Sequence, residues 1–236
     1  MAKVVLAHGA WSAAWAWKKM RPLFRKAVHE FFSPTYTGLG ERAHLARPEV
    51  DLSTHVQDVQ AVLEIEDLKD VTLLGHSYGG MVATGVADKA PGRIARVVYI
   101  DAFAPKNGQS LFDLLGPKGE AHMRAGAAKD GDGWKLPLNP MPPDTSPEDS
   151  AWAVPKRRPQ PIKTFEEKIK IASAKFPPRH YIYAKKNGPG DVFRQFAERA
   201  KSEPGWTLHE IDASHNPHIT CPDVLMSLLS NIMTAK

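Results

Sequence analysis

Cysteine is almost missing from this chain. One residue, Cys221, stands among 236, which excludes an internal disulfide framework and fits a reducing compartment. Long apolar runs are missing too. No stretch of about 18 apolar residues occurs, so no membrane-spanning helix is expected. The N-terminal MAKVVLAHGAW runs straight into a short apolar segment, without the charged n-region, long h-region and cleavage site of a secretory signal. A cytoplasmic location is the expectation. No internal repeat is visible, and concentrated charge is scarce. The 31 Lys and Arg outnumber the 26 Asp and Glu by enough for a net charge of +5, but they are scattered. The densest basic spot, Lys156-Arg157-Arg158, lies in a proline-rich segment without interleaved aromatics. It reads as a solvated loop, not as a nucleic-acid footprint.

What remains is ordinary globular composition, 42% hydrophobic and 24% charged, in a chain long enough to bury one sizeable core. Short continuous apolar runs at Val4–Ala7, Val71–Leu74 and Arg96–Ile100 read as parallel strands buried on both faces. Glu30–Ser33, Tyr181–Ala184 and Trp206–Ile211 read as further strands. Helical segments fall between them. They run over Ala14–Val28, over Asp51–Ile65 with Val56, Val59, Val62 and Leu63 on one face, over Gly79–Ala90, over Val192–Lys201 and over Pro222–Met233. Regularity lapses between 103 and 178, where most of the prolines lie and only weak helical pieces appear at Ser110–Leu115 and Thr164–Ala174. Alternating strands and helices predict an α/β fold with a mostly parallel sheet and helices on both faces. Ligands of such sheets bind at the carboxyl ends of the strands. Residues 1–102 and 179–236 are then the core, and 103–178 form a cap inserted after the fourth strand.

Two of the strand-end loops carry motifs. Gly75-His76-Ser77-Tyr78-Gly79 follows an apolar strand and opens a helix of small residues. This is the setting of a nucleophile on a sharp strand-to-helix turn, where flanking glycines leave room and the helix N-terminus favours a developing anion. Taken alone, the pattern also suits an ordinary packing turn. His8-Gly9-Ala10-Trp11 follows the first strand. A loop of this type supplies one oxyanion-hole amide, and the residue after the nucleophile supplies the other. Ala10 and Tyr78 are the expected donors for a nucleophilic Ser77.

HGAWSAAWAWKKMRPL (8–23), TGLGERAHL (37–45), GHSYGGM (75–81), VYIDAFAPKNGQS (98–110) and DASHNPHITCP (212–222) span nearly the whole chain. In these segments the sequence resembles the α/β-hydrolases of the hydroxynitrile lyase and plant methyl-ester esterase group, especially their bacterial esterase relatives. The resemblance implies the α/β-hydrolase fold with a six-stranded parallel sheet. It also implies a triad in the order serine, acid, histidine. His215, four residues past the last strand in Asp212-Ala213-Ser214-His215, matches the family's histidine loop and is the expected base and then acid. The usual acid position, after the penultimate strand, falls near Asn187. Two carboxylates compete for the role. Asp101 ends the strand RVVYI, in a Tyr-Ile-Asp-Ala-Phe segment that the bacterial relatives share, and some members of the fold place the acid there. Asp191 is the alternative, although an Asp before a helix also serves as an N-cap.

The implied chemistry is ester hydrolysis through an acyl-enzyme, with no metal or organic cofactor. The partner is a small-molecule ester, with no nucleic acid or membrane; a homodimer stays open. Trp11, Tyr78 and Phe103 are the expected pocket residues, whose aromatic walls suit an aryl or apolar ester or a carbamate. Lyase members carry a Thr in the first loop and a Lys after the catalytic histidine, where this chain has Gly9 and Asn216. This favours an esterase over a lyase. A receptor-like ligand binder or cofactor-free oxygen chemistry on the same fold are the other readings kept. His8 and His76 are expected as hydrogen-bonding supports of the site, Arg42 and His44 as ties of the long loop after the second strand, and His218 as structural.

Overall fold

The computed structural model describes residues 1–173 and 175–234. The strands are β1 (Lys3–Ala7), β2 (Glu30–Phe32), β3 (Val71–His76), β4 (Ile94–Ile100), β5 (Lys135–Leu136), β6 (Gln160–Pro161), β7 (Arg179–Ala184) and β8 (Trp206–Ile211). Six of them form one sheet in the order β2-β1-β3-β4-β7-β8, parallel throughout. This is the six-stranded parallel sheet that the resemblance implies. The helices are α1 (Met20–Lys26), α2 (Leu52–Ile65), α3 (Gly79–Lys89), α4 (Leu111–Asp130), α5 (Pro147–Ala153), α6 (Lys163–Glu166), α7 (Arg194–Ser202), α8 (Pro217–Thr220) and α9 (Pro222–Thr234).

Strand β3 is buried along its whole length, as its unbroken apolar run requires of a central parallel strand. Two cores follow, one on each face. Val5, Val59, Leu73, Val82 and Val97 pack between the sheet and α2 and α3. Val4, Trp17, Phe24, Leu74 and Leu229 fill the opposite side beneath α1 and α9. Helix α2 starts where Asp51 accepts the Thr54 amide at 2.8 Å, which satisfies one of the orphan donors of a helix start.

The expected first helix is in two pieces, a 3-10 turn over Ala14–Trp17 and then α1. The insertion departs further from expectation. Helix α4 runs to Asp130, with Gly116 at φ 75° as a kink. Gly116-Pro117 looks like a stop signal, but Pro117 opens the second half of the helix, where its missing N–H costs nothing. Helix α5, which starts on a Ser146 cap with Pro147 at its first position, and the small antiparallel β5–β6 pair are additions to the expected elements. The expected helix over Thr164–Ala174 shrinks to α6, and Ala174 itself lies outside the described residues.

Candidate active site

Five loops meet at the carboxyl edge of the sheet, after β1, β3, β4, β7 and β8. Ser77 follows β3 in the left-handed region, at φ 54°, a sparsely populated conformation for a residue with a side chain. The glycines around it are there for contact. A Cβ on Gly79 would overlap the Ala7 carbonyl, and one on Gly80 would overlap the Phe103 carbonyl. The first turn of α3 is therefore pressed directly on the ends of β1 and β4, and the serine is lifted over the edge.

His215 Nε2 lies 2.9 Å from Ser77 Oγ, and its Nδ1 lies 2.7 Å from Asp101 Oδ2. A carboxylate only accepts, so Nδ1 carries the proton and Nε2 is left to accept from the serine hydroxyl. Asp101 is fully buried and stands at φ 42°. Besides the imidazole it accepts the Ala184 amide at 3.2 Å and the Asn187 side-chain amide at 3.1 and 3.0 Å. An anion buried at a strand end needs such donors. Asp191 is occupied elsewhere. It accepts the Tyr183 hydroxyl at 2.6 Å and the Phe193 amide at 2.8 Å, and it makes no hydrogen bond to His215 among the described residues. Of the two candidate acids, the fold brings only Asp101 to the histidine.

His215 is held through its ring, its backbone and the residue before it. Phe193 stacks on it at 4.6 Å. His76 Nε2 donates to the His215 carbonyl at 2.8 Å. Ser214 donates its amide to Asp144 at 3.0 Å and is also bonded to it through Oγ. Burial holds the pKa of His76 well below its usual range and that of His218 at about 3, so both rings are neutral beside the site. His218 is stacked flat on Trp17 at 4.7 Å. The β1 loop is fixed by His8, which lies 2.9 Å from the Gly9 carbonyl and accepts the Tyr36 amide at 3.2 Å. It is also fixed by Gln160, which accepts the Trp11 amide at 3.3 Å. The Ala10 and Tyr78 amides have no acceptor among the described residues. Arg42 ties its loop to Thr35, Thr37 and Asp58. His44 is exposed and makes no such bond among the described residues.

A cavity of about 200 Å³ opens above Ser77 and His215. Trp11 lines it, but two of the expected pocket residues do not. Tyr78 is fully buried, with its hydroxyl 2.9 Å from His55 and its ring stacked on Phe165. Phe103 packs against Phe193 at 5.0 Å. Tyr78 points into the core because the turn that exposes Ser77 turns the next side chain inward, and Phe103, on the loop after β4, is buried against Phe193 and Phe196. The places of Tyr78 and Phe103 on the wall are taken by Met141, Pro142 and Arg157 from the insertion. The proline-rich sequence gave no sign of this, because these residues reach the site through space.

Comparison with known proteins agrees with this fold. The alpha/beta hydrolase family model matches residues 4–228. A carbendazim hydrolyzing esterase from Nocardioides sp. (strain SG-4G) is 36% identical, over 98% of this chain and 99% of that protein. The putative methylesterase 13, chloroplastic, of Arabidopsis thaliana is 25% identical over 98% of this chain and 56% of its own length. Among solved structures, an extracellular alpha/beta-hydrolase from a Paenibacillus species superimposes with a TM-score of 0.85 at 27% identity, covering 98% of both chains. With a fold, a family match and a near full-length relative in agreement, the chain belongs to the alpha/beta hydrolase family.

Proposed function

We propose that Ser77, His215 and Asp101 act as nucleophile, general base and orienting acid of a carboxylic-ester hydrolase. The observation that carries this reading is the unbroken hydrogen-bonded line from Asp101 through His215 to Ser77, at 2.7 and 2.9 Å. Ser77 Oγ attacks the ester carbonyl as its proton passes to His215 Nε2. The Ala10 and Tyr78 amides hold the oxyanion, and the positive end of α3 adds to them. The tetrahedral intermediate collapses, and the departing alcohol takes the proton from His215. Water then repeats the sequence on the acyl-enzyme and releases the acid.

The substrate is a small ester or carbamate with an apolar or aryl body. Trp11, Met141 and Pro142 in the cavity wall support it, and so does the activity in the name of the carbendazim hydrolyzing relative. Residues 103–178 serve as the cap. Asn216 offers no ammonium next to His215 for a leaving cyanide, which favours the hydrolase over a lyase. A single cysteine, Cys221, fits a cytoplasmic place of action. A fluorophosphonate probe should label Ser77, and a nitrophenyl ester should give a burst, both lost in Ser77→Ala. Native protein that neither labels nor turns over would favour a ligand-binding role instead.

A further inference from the structure

Arg157 belongs to the basic Lys156-Arg157-Arg158 run that reads from sequence as a solvated loop. Its neighbours are exposed, but Arg157 is half-buried and lines the cavity above Ser77. The guanidinium is held by Asn139, whose carbonyl accepts Nη1 at 2.5 Å and whose side-chain oxygen accepts Nη2. It lies 5.9 Å from the centre of the Trp11 ring. The next residue, Arg158, donates its amide to the Trp11 carbonyl at 3.2 Å. The cation is thus fixed to the loop that carries Ala10.

No carboxylate among the described residues pairs with Arg157. The cavity is lined by two cations, Arg157 and Lys186, and by no Asp or Glu. Lys186 is neutralised by Asp212 at 2.9 Å, whereas Arg157 is not neutralised at all. A half-buried guanidinium with spare N–H donors and only neutral partners is held at a cost in solvation, and that burial lowers its pKa. A negative group entering the cavity would relieve the cost and gain charge-assisted hydrogen bonds. Apolar walls with one uncompensated cation suit an amphipathic ligand.

We infer that Arg157 is an anion subsite of the active-site cavity, so that the preferred esters carry a carboxylate, or a comparably acidic group, on an aryl or apolar body. The inference rests on the proposed hydrolase reading and deepens it. It predicts specificity, not the bond-breaking step.

Matched pairs of esters provide the test. On the alcohol side the pair is 4-acetoxybenzoate and its neutral methyl ester. On the acyl side it is methyl hydrogen terephthalate and dimethyl terephthalate. The ratio of kcat/KM for the charged over the neutral member is measured in the native protein, Arg157→Lys and Arg157→Gln. In at least one pair Arg157→Gln should lower this ratio about tenfold or more, the scale of one hydrogen bond to a charge. Arg157→Lys should retain most of it, and the charged ester should lose more than the neutral one. A ratio unchanged in Arg157→Gln for both pairs overturns the inference, as does an equal loss on charged and neutral esters. Inhibition of the native protein makes the test independent of how the variants fold. Benzoate should compete better than benzamide, with an advantage that shrinks as salt is raised, and equal inhibition by the two counts against the subsite. Ser77 labelling separates the two levels. Labelled, active protein with no charge preference defeats only the subsite, whereas unlabelled protein defeats the hydrolase reading beneath it.

Discussion

Asn187 stands in the loop after β7, where many relatives of this fold keep their acid, and here it donates to a carboxylate at the end of another strand, β4. Its amide spans both oxygens of Asp101 and reaches Asp191 at 3.4 Å. Two substitutions test this division of labour. Asp101→Asn removes the charge that orients and stabilises the imidazolium, and turnover should fall by about three to four orders of magnitude. Near-native turnover would return the role to another group. Asn187→Asp sets a second carboxylate against the first, and like charges so close share a proton. Activity at pH 7 should fall about tenfold or more and recover as the pH is raised. A pH–rate profile parallel to the native one would show that Asn187 carries no such role. Ser77 and His215 were legible in the sequence because their setting is local: a strand, a turn and the residues flanking them. Asp101 was legible as a carboxylate at a strand end, and Asp191 competed with it because sequence cannot show which one faces the histidine. Phe193, Gln160 and Arg157 carry no local signal, since each acts on the site across more than twenty residues of chain or from another element.

The element that fixes the site is α3. Its small residues permit the backbone contacts that aim its N-terminus at the cavity, with Gly79 on β1, Gly80 on the loop after β4 and Gly85 2.7 Å from Val56 of α2 were a Cβ present. Gly79→Ala should therefore cost about 3 kcal/mol or more of stability, read from the denaturant midpoint. Gly92→Ala, where a Cβ meets nothing within 4 Å, is the control and should stay near native. Equal midpoints would mean that the β1 contact is soft. The sheet strands and α2, α3, α7 and α9 were readable because period and burial agree over their length. The insertion was not. Helix α4 passes through a Gly-Pro pair, and β5 and β6 are two residues each, too short for any period to register. Their placement rests on contacts with the core.

At the scale of the whole molecule, the core is unusual in burying neutral histidines. Burial holds His8 and His218 at about 3 and His55 at about 4, and keeps His76 well below its usual value. In the unfolded chain each would titrate near 6.5. The unfolded state therefore binds more protons below that pH, and stability rises with pH across the window. The contribution is complete above about 6.5 and is lost as pH falls toward 3–4, at about 1.4 kcal/mol per pH unit for each histidine. Four together exhaust a typical stability by about pH 5. Circular dichroism should find cooperative acid unfolding there, before most carboxylates are protonated. A native signal persisting to pH 4 would show that the buried rings accept protons without unfolding.

The insertion is fastened to the core at several points by polar ties. Asp144 holds Ser214, the residue before the histidine. Asp149 pairs with Lys19 at 2.7 Å, Glu167 accepts the Ser53 amide at 2.7 Å, and Gln160 steadies the loop of Ala10. These ties make the insertion a poor candidate for modular exchange. A graft from a relative would bring a new substrate wall, but it would also leave Ser214 and the Trp11 amide without their partners. A change in this wall is therefore coupled to the loops that position His215 and Ala10. Recombination between members should succeed most often when Asp144 and Gln160 travel with the loops they hold.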